Sequence, residues 1–245
     1  MSQPIITDYR KHYRNDAEFI QSPENLSLVR FASERRRFQV SVRQIEFTSE
    51  TRVIDIGCGS GWLASECAKA GGCVTATDIA LTGVSIAQRR FPEDVCYSVA
   101  DLYDMPMLSA SFDVAILSEV LEHVERLDDA LQEVKRLLVP GGHLIITVPF
   151  RETIVQHLCI HCNHPTPSNA HLHSFDTEGL TALLQKHGLG VEKMCFLNNK
   201  LLELLRFPRI TRRWPYWAWR TCDRLLNYLV GRPAFVLVVV KKPSA

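Results

Sequence analysis

One stretch, TRVIDIGCGSGWL at residues 51–63, restricts the fold of this chain more than any other part of the sequence. A short apolar run that carries Asp55 is followed by Gly57, Gly59 and Gly61, and a helical pattern begins directly after them. This is the order of a buried strand, a tight turn and a helix N-terminus, with which a Rossmann-like βαβ unit opens. Glycine allows the sharp turn and lets backbone N–H groups come close to a ligand. The stretch therefore predicts an α/β fold with a ligand-binding loop at 57–61.

The spacing of these glycines distinguishes between two kinds of ligand. A dinucleotide-binding loop has the pattern G-x-G-x-x-G, in which the third glycine lets the helix pack closely beside the pyrophosphate site. Here Trp62 occupies that position, and Gly61 comes one residue earlier. The loop therefore suits a smaller, zwitterionic ligand, and an oxidoreductase with a nucleotide cofactor is the disfavoured enzyme class.

The segment V-I-D-I-G-C-G-S-G resembles the first motif of the class I S-adenosylmethionine-dependent methyltransferases. The resemblance extends over residues 50–150, and the central motifs are similar to those of the ubiquinone-pathway methyltransferases. It implies a doubly wound, Rossmann-like α/β fold with a seven-stranded sheet whose last strand is antiparallel. It also implies S-adenosyl-L-methionine as cofactor, with these candidate binding residues: Asp55, Gly57, Cys58, Gly59, Gly61, Asp78, Ile79, Asp101, Leu102 and Ser118.

Two of these candidates are acids at the ends of later predicted strands. Asp78 follows the strand at 73–77 and stands 23 residues after Asp55, close to the offset of ~20 residues at which an acid binds ribose hydroxyls. An acid in this place can also cap a helix, but the spacing favours ribose binding. The resemblance implies that Asp101, after the strand at 95–99, accepts a hydrogen bond from the adenine amino group. The alternative for Asp101 is an aspartate that only forms a turn.

The stretch S-E-V-L-E-H-V follows the fourth predicted strand, at 112–117. Glu119, Glu122 and His123 have the spacing i, i+3, i+4, so a helical turn would place them on one face. Two carboxylates and an imidazole could bind a divalent cation, and His123 could act as a general base. The stretch resembles the ubiquinone-pathway O-methyltransferases, in which these residues are proposed to hold magnesium. Other methyltransferases carry L-E-H-V without a metal, so both interpretations stay open.

Residues 151–175 form a stretch rich in cysteine and histidine. Two cysteines and two histidines could close a tetrahedral zinc site, and the candidate ligands are Cys159, Cys162, His164 and His171. In the alternative interpretation this is a substrate loop in which His171 and His173 carry out acid–base chemistry. A third interpretation gives the cysteines and histidines neither role.

Two segments flank the predicted cofactor-binding core at 49–150. Residues 1–48 read as a helical lead that is either a surface helix with solvated arginines or a lid over the substrate. In the lid interpretation, the resemblance to the ubiquinone-pathway methyltransferases implies that Arg37 binds the carboxylate of the cofactor. Before the last strand, predicted at 234–240, residues 198–233 read as a helical insert rich in aromatic and basic residues. This composition is typical of a membrane-surface segment, with contact through 200–232, but a lid or a dimer face would explain it equally well.

Composition limits the remaining choices. A chain of 245 residues with 46% hydrophobic residues is long enough for one domain, here taken as 1–245. Its net charge of +1 gives no reason to expect a nucleic-acid partner. The N-terminal residues lack the apolar core of a signal peptide, and no apolar run approaches the ~20 residues of a membrane span. Eight scattered cysteines indicate a reducing compartment, so we expect a cytoplasmic protein, with peripheral membrane contact if the insert binds lipid.

The sequence therefore predicts an S-adenosylmethionine-dependent methyltransferase that acts on a small molecule, at an oxygen atom of an apolar or lipid-like acceptor. The alternative is a catalytically silent methyltransferase-like subunit that scaffolds a partner complex. A scaffold has no need of Asp78 and Asp101 together, and the sequence therefore favours the enzyme. Neither the acceptor nor the oligomeric state follows from the sequence.

Overall fold

A computed structural model of the chain describes residues 8–18, 26–92, 94–160 and 163–244. In chain order, the elements up to residue 137 are α1 (Tyr9–Glu18), α2 (Leu28–Val42), β1 (Arg52–Ile56), α3 (Trp62–Lys69), β2 (Cys73–Asp78), α4 (Leu81–Arg90), β3 (Val95–Val99), β4 (Phe112–Ser118) and α5 (Leu127–Leu137). They are followed by β5 (Leu138–Pro149), β6 (Gln156–Leu158), β7 (Pro165–Pro167), α6 (Thr177–Lys186), β8 (Gly190–Asn199), α7 (Lys200–Leu204), α8 (Pro208–Thr211), α9 (Tyr216–Val230) and β9 (Pro233–Lys241).

Seven strands form one sheet in the order β3-β2-β1-β4-β5-β9-β8. The strands from β1 to β5 pair in parallel, whereas β9 runs antiparallel to both of its neighbours, β5 and β8. The predicted doubly wound sheet with an antiparallel last strand is therefore confirmed. The short strands β6 and β7 form a separate antiparallel hairpin within the cysteine- and histidine-rich stretch.

Helices cover both faces of the sheet, which is why its central strands read as continuous apolar runs. In β4, Ala115 and Leu117 belong to the hydrophobic layer that contains residues of α5 and α6. Val114 and Ile116 belong to the opposite layer, which contains residues of α2, α3 and α9. All four residues are buried, so the sheet is held between two apolar layers.

Aromatic and basic side chains join α2 to α3 and to the C-terminal insert. Trp62, which replaces the third glycine of a dinucleotide loop, packs against Phe31 and Phe38 of α2, with ring centroids 4.9 and 5.2 Å apart. Arg36 of α2 donates hydrogen bonds to the carbonyl oxygens of Thr211 and Trp214. The N-terminal lead and the C-terminal insert are therefore joined on one side of the molecule.

Two local predictions were wrong. The apolar spacing after residue 127 predicts a helix over 127–139 that is closed by Pro140, Gly141 and Gly142. In the structure α5 ends at Leu137, and these three residues belong to β5. The two glycines pair with the end of the last strand, because Gly141 N–H donates to the Lys242 carbonyl and Lys242 N–H donates to the Gly142 carbonyl. The second error concerns Glu119, whose left-handed backbone (φ 59°) keeps it out of the helical turn that was expected from 119 to 123.

Candidate active site

A cavity of about 950 Å³ opens at the carboxyl ends of β1, β2 and β4, where open α/β sheets bind ligands. One end is lined by the glycine loop and by the residues that follow β2 and β3. The other end is lined by residues of α2, of the segment after β4, of the 151–175 stretch and of α7. The cavity therefore brings together the predicted cofactor residues except Gly61, and the predicted catalytic residues except His173.

Asp78 and the end of β2 fix the shape of the glycine loop. Gly57 and Cys58 donate their N–H groups to the Thr77 carbonyl at 2.8 and 2.9 Å. Gly59 N–H donates to Oδ2 of Asp78 at 3.0 Å, and Ala80 N–H donates to Oδ1 of the same carboxylate at 2.9 Å. Asp78 thus has a structural task in the loop besides any contact with a ligand.

Asp55 lies under the glycine loop and is 2% exposed. Burial, and then the nearby charge of Asp78, raises the pKa of Asp55 to about 7. Its Oδ2 has no hydrogen-bond partner among the residues that the structure describes. Asp55 lines the cavity from below, so a cation bound over the loop would find a carboxylate there.

The other candidate cofactor residues lie along the same end of the cavity. Asp101 accepts hydrogen bonds at Oδ2 from the Tyr9 hydroxyl (2.7 Å) and Arg10 Nε (3.0 Å), and at Oδ1 from Tyr103 N–H (3.1 Å). The Ser118 hydroxyl lies 2.8 Å from the Thr147 hydroxyl. The remaining cavity-lining candidates are Cys58, Ile79 and Leu102.

Two arginines of α2 are buried, which the interpretation as a surface helix with solvated arginines does not allow. Arg36 and Arg37 are 4% and 6% exposed, whereas Arg30, Arg35 and Arg43 are exposed as a surface helix predicts. Arg37 lines the cavity, and its Nη1 lies 3.7 Å from Oε2 of Glu119. Its Nε has no hydrogen-bond partner within the described part of the chain. A buried guanidinium with a spare N–H group could bind a carboxylate in the cavity.

The three residues of the expected helical turn lie close together but not as predicted. Glu119 precedes a 3-10 turn (Leu121–His123), and burial raises its pKa to about 7. Glu122 is fully buried, which raises the pKa of its carboxyl, and neither oxygen has a hydrogen-bond partner among the described residues. Burial lowers the pKa of His123 to about 4, so its imidazole is neutral at physiological pH. A short loop, not a helical face, therefore presents these groups to the cavity.

His171 completes this cluster from the 151–175 stretch. Its ring meets that of His123 edge-on, with centroids 4.7 Å apart, and its Nδ1 forms a hydrogen bond with Glu152. Glu122, His123 and His171 each offer one ligand atom, and these atoms lie within 4.8 Å of one another. The predicted zinc ligand His171 thus joins two of the predicted magnesium ligands, while Glu119 is not part of this group of three.

The other residues of the cysteine- and histidine-rich stretch have separate surroundings. Nε2 of His173 lies 2.8 Å from the Val124 carbonyl. Cys159 N–H donates to the His164 carbonyl across the β6–β7 hairpin, whose turn exposes His164 to solvent. Cys162 lies outside the described residues. Within the described stretch, no group of potential metal ligands combines Cys159 or His164 with His171, so the zinc site stays a prediction.

Residues 54–146 match the protein-family model described as "Methyltransferase domain". O-methyltransferase resE of Aspergillus sclerotiorum is 25% identical over 207 residues, which cover 76% of this chain and 72% of that protein. The mitochondrial ubiquinone biosynthesis O-methyltransferase of Mus musculus is 30% identical over 162 residues, which cover 61% of this chain and 44% of that protein. The match to the family model covers the same part of the chain as the motif resemblance to the class I S-adenosylmethionine-dependent methyltransferases at residues 50–150.

The fold of this chain is also similar to that of a solved methyltransferase structure. Phosphoethanolamine N-methyltransferase 2 of Haemonchus contortus, in complex with S-adenosyl-L-methionine, is similar with a TM-score of 0.66 and 17% identity, over 98% of this chain and 61% of that one. The chain spans about half the length, or less, of most of the curated relatives that it matches.

Several residues of the candidate site were not found from the sequence. Tyr9, Arg10 and Tyr13 reach the site from α1, Glu152 holds His171, and Glu203 lines the cavity from α7. None of them belongs to a motif, and each reaches the site through packing between elements distant in sequence. Only the basic, aromatic composition of the insert gave a signal, and it indicated a membrane contact, a lid or a dimer face without identifying Glu203.

The insert turns one apolar face of α9 outward. Trp217 is 72% exposed and Tyr228 86% exposed, and Leu225 and Leu229 lie on neighbouring turns with more than half of their surface exposed. Trp219 on the opposite side is buried against the sheet. In the part of the chain that the structure describes, no helix has the length and apolar content needed to cross a membrane.

Proposed function

We propose that this methyltransferase transfers the methyl group of S-adenosylmethionine to a hydroxyl oxygen of a small molecule. One observation carries the proposal: the glycine loop and His171 line the same cavity, and Glu152 is hydrogen-bonded to Nδ1 of His171. The O-methyltransferase names of the relatives from Aspergillus sclerotiorum and Mus musculus support the choice of oxygen. On this proposal Asp78 binds the ribose, Asp101 the adenine, and Arg37 the cofactor carboxylate.

The chemistry asks little of the protein beyond positioning and proton removal. The sulfonium is a good leaving group, so in-line placement of acceptor and methyl group supplies most of the acceleration. The acceptor oxygen forms the new C–O bond while the C–S bond breaks, and S-adenosylhomocysteine leaves with the sulfur electron pair. The hydroxyl proton passes to a base, which the site supplies as a histidine.

Of the three candidate bases, His171 suits the task best. A carboxylate at Nδ1 keeps the proton on that nitrogen and leaves the Nε2 lone pair as the acceptor. His123 is a weak base because burial lowers its pKa to about 4. His173 does not line the cavity, and its Nε2 faces the Val124 carbonyl. We therefore assign proton removal to His171 and its orientation to Glu152.

A substitution series tests this assignment. The purified protein is given S-adenosylmethionine and a panel of catechols and simple phenols, and formation of S-adenosylhomocysteine is measured. His171→Ala should lower kcat by about 10²–10⁴-fold without changing the affinity for S-adenosylhomocysteine, and Glu152→Gln should lower kcat less. His157→Ala, at an exposed position of β6 in the same stretch, is the matched control and should leave kcat unchanged. A His171→Ala variant with wild-type turnover would contradict the assignment.

The same residues also fit a divalent cation. The oxygens of the fully buried Glu122 lack hydrogen-bond partners among the described residues, and Glu122, His123 and His171 could together hold Mg²⁺ or Zn²⁺. A bound cation would lower the pKa of a hydroxyl group that coordinates it. Dialysis against EDTA separates the two roles of His171. An unchanged rate keeps His171 as the base, and a rate that falls and returns with added Mg²⁺ or Zn²⁺ makes it a ligand.

An apolar acceptor would lie in a membrane, and the protein would take it up at the membrane surface. The exposed charges of the insert are basic, because its two acids, Glu203 and Asp223, face the cavity and the interior. Arginines beside exposed tryptophan, tyrosine and leucine suit the interface of an anionic bilayer. Since Lys200 and Glu203 of α7 line the cavity, this surface adjoins its acceptor end. We include peripheral contact through 200–232 in the proposal, with the cytoplasmic face of a membrane as its site.

Co-sedimentation with vesicles of phosphatidylcholine and phosphatidylserine tests the contact. The wild-type protein should pellet with the vesicles, and added salt should release it. Replacement of Trp217 and Tyr228 by serine should abolish binding, while Leu108→Ser, at a site that is 83% exposed outside the insert, should not. A wild-type protein that stays in the supernatant would refute the membrane contact and leave a lid or a dimer face as the role of the insert. Turnover of any acceptor would exclude the scaffold alternative.

A further inference from the structure

Helix α1 lies across the cofactor end of the cavity and is tied to two separate parts of the site. Near its start, the Tyr9 hydroxyl and Arg10 Nε both donate to Oδ2 of Asp101, at 2.7 and 3.0 Å. One turn later, the Tyr13 hydroxyl donates to the His123 carbonyl at 2.9 Å and accepts from Glu125 N–H at 3.1 Å. One helix thus contacts both the predicted adenine-binding acid and the loop that carries His123.

Aromatic packing makes these contacts into one continuous cluster. The rings of Tyr9 and Tyr103 meet edge-on with centroids 5.1 Å apart, and the hydroxyls of Tyr13 and Tyr103 lie 3.4 Å apart. The guanidinium of Arg126 lies 3.9 Å from the centre of the Tyr103 ring. Tyr13 and Tyr103 line the cavity, so the cluster forms part of its wall. A rigid aromatic wall of this kind would cover a flat base such as adenine.

The hydrogen bonds of Asp101 leave room for a ligand. A carboxylate accepts about four hydrogen bonds, and α1 uses two of them while Tyr103 N–H uses a third. The remaining position can accept from an amino group in the cavity, while Tyr9 and Arg10 hold the carboxylate in one orientation. Asp101 can therefore accept hydrogen bonds from α1 and from a ligand at the same time. Both sets of hydrogen bonds favour the same orientation of its carboxylate.

We propose that α1 is part of the methyltransferase site, in which Tyr9 and Arg10 position Asp101 for the adenine ring and Tyr13 positions the His123 loop. The inference rests on the proposed use of Asp101 in cofactor binding. Coupling between two binding events is reciprocal. Docking of α1 strengthens cofactor binding, and a bound cofactor holds α1 in place. The three residues act through Asp101 and the His123 loop, so they are positioning residues.

Two readouts distinguish their roles. Tyr9→Phe and Arg10→Gln each remove one hydrogen bond to Asp101 and should raise the Kd for S-adenosylhomocysteine about three- to tenfold. Tyr13→Phe leaves the His123 carbonyl and Glu125 N–H without their bridge, and should lower kcat several-fold at saturating cofactor with little change in that Kd. Lys11→Gln, at an exposed position of the same helix, is the control and should change neither quantity.

Hydrogen exchange of residues 9–18 tests the coupling directly. In the wild-type protein, S-adenosylhomocysteine should slow exchange in this segment, and Tyr9→Phe should reduce the slowing. The proposal is overturned if the wild-type protein binds S-adenosylhomocysteine while exchange in 9–18 stays the same, or if Tyr9→Phe and Lys11→Gln behave alike. Failure of the wild-type protein to bind S-adenosylhomocysteine at all would instead overturn the proposed function, so the two failures can be told apart.

Discussion

Replacement of Gly61 by alanine should destabilise the fold through the contact between the cofactor loop and α4. Gly61 has φ 75°, in the left-handed region, and a Cβ atom there would lie 2.7 Å from Cβ of Ala87 and 3.1 Å from the Tyr97 hydroxyl. The backbone conformation costs a non-glycine residue about 1–2 kcal/mol. Forcing a methyl group into a packed contact adds about 1–3 kcal/mol. Gly61→Ala should therefore lower the free energy of unfolding by about 2–5 kcal/mol.

Gly231 provides a control with the same backbone conformation and no contact. It ends α9 with φ 62°, and a Cβ atom there would meet no described atom within 4 Å. Gly231→Ala should therefore cost only the conformational term of about 1–2 kcal/mol. Urea unfolding of both ligand-free variants gives the two free energies by linear extrapolation. Equal losses for Gly61→Ala and Gly231→Ala would refute the close packing of the loop on α4.

Two further predictions concern buried charges. Burial, and then the charge of Asp78, raises the pKa of Asp55 from 3.8 to about 7. Between pH 3.8 and about 7, the carboxyl of Asp55 is protonated in the folded protein and ionised in the unfolded protein. The free energy of unfolding therefore falls as the pH rises, by up to about 1.4 kcal/mol per pH unit. Asp55→Asn should remove that part of the slope in urea titrations, and a variant slope equal to the wild-type slope would contradict the burial. Asp223→Ala leaves Arg220 buried without its partner at 2.7 Å and should cost about 3–5 kcal/mol. Asp128→Ala, in an exposed pair, should change the unfolding midpoint little, and equal effects of the two variants would refute the burial of the Arg220–Asp223 pair.

The cofactor-binding half of the fold could be predicted because its signals are local. Each signal depends on a few consecutive residues: the apolar run at 53–56, the glycines after it, and then the apolar residues at helical spacing. Strand β3 has the predicted bounds, 95–99. Parallel pairing then follows, since each strand is joined to the next by a crossover segment. The antiparallel direction of the last strand followed from the family resemblance and not from local pattern.

The other end of the cavity, where the segment after β4 meets the 151–175 stretch, could be predicted only in part, because its residues meet through tertiary packing. The spacing of Glu119, Glu122 and His123 predicted a helical face, but the left-handed backbone of Glu119 produces a short loop instead. His171 was a candidate for both a zinc site and a base, and the sequence gave no way to see that it lies beside His123. Glu152 precedes its partner by 19 positions and carries no motif.

The arginines of α2 illustrate the same limit in another way. Helical spacing alone makes Arg36 and Arg37 look like members of a solvated face. The insert, more than 170 positions away, supplies carbonyl oxygens that satisfy Arg36, and Glu119 and the cavity surround Arg37. Burial of these two arginines depends on the distant segment that covers them, so no pattern within α2 predicts it.

The melting temperature with and without cofactor tests the central claim most directly. The wild-type protein is heated alone, with S-adenosylhomocysteine and with NAD, and Asp78→Asn is treated in the same way. At a concentration of ~100 times Kd, a ligand that binds only the folded state adds about 2.7 kcal/mol. We predict a rise with S-adenosylhomocysteine only, and a smaller rise or none in Asp78→Asn. A rise with NAD, or none with S-adenosylhomocysteine, would contradict the account.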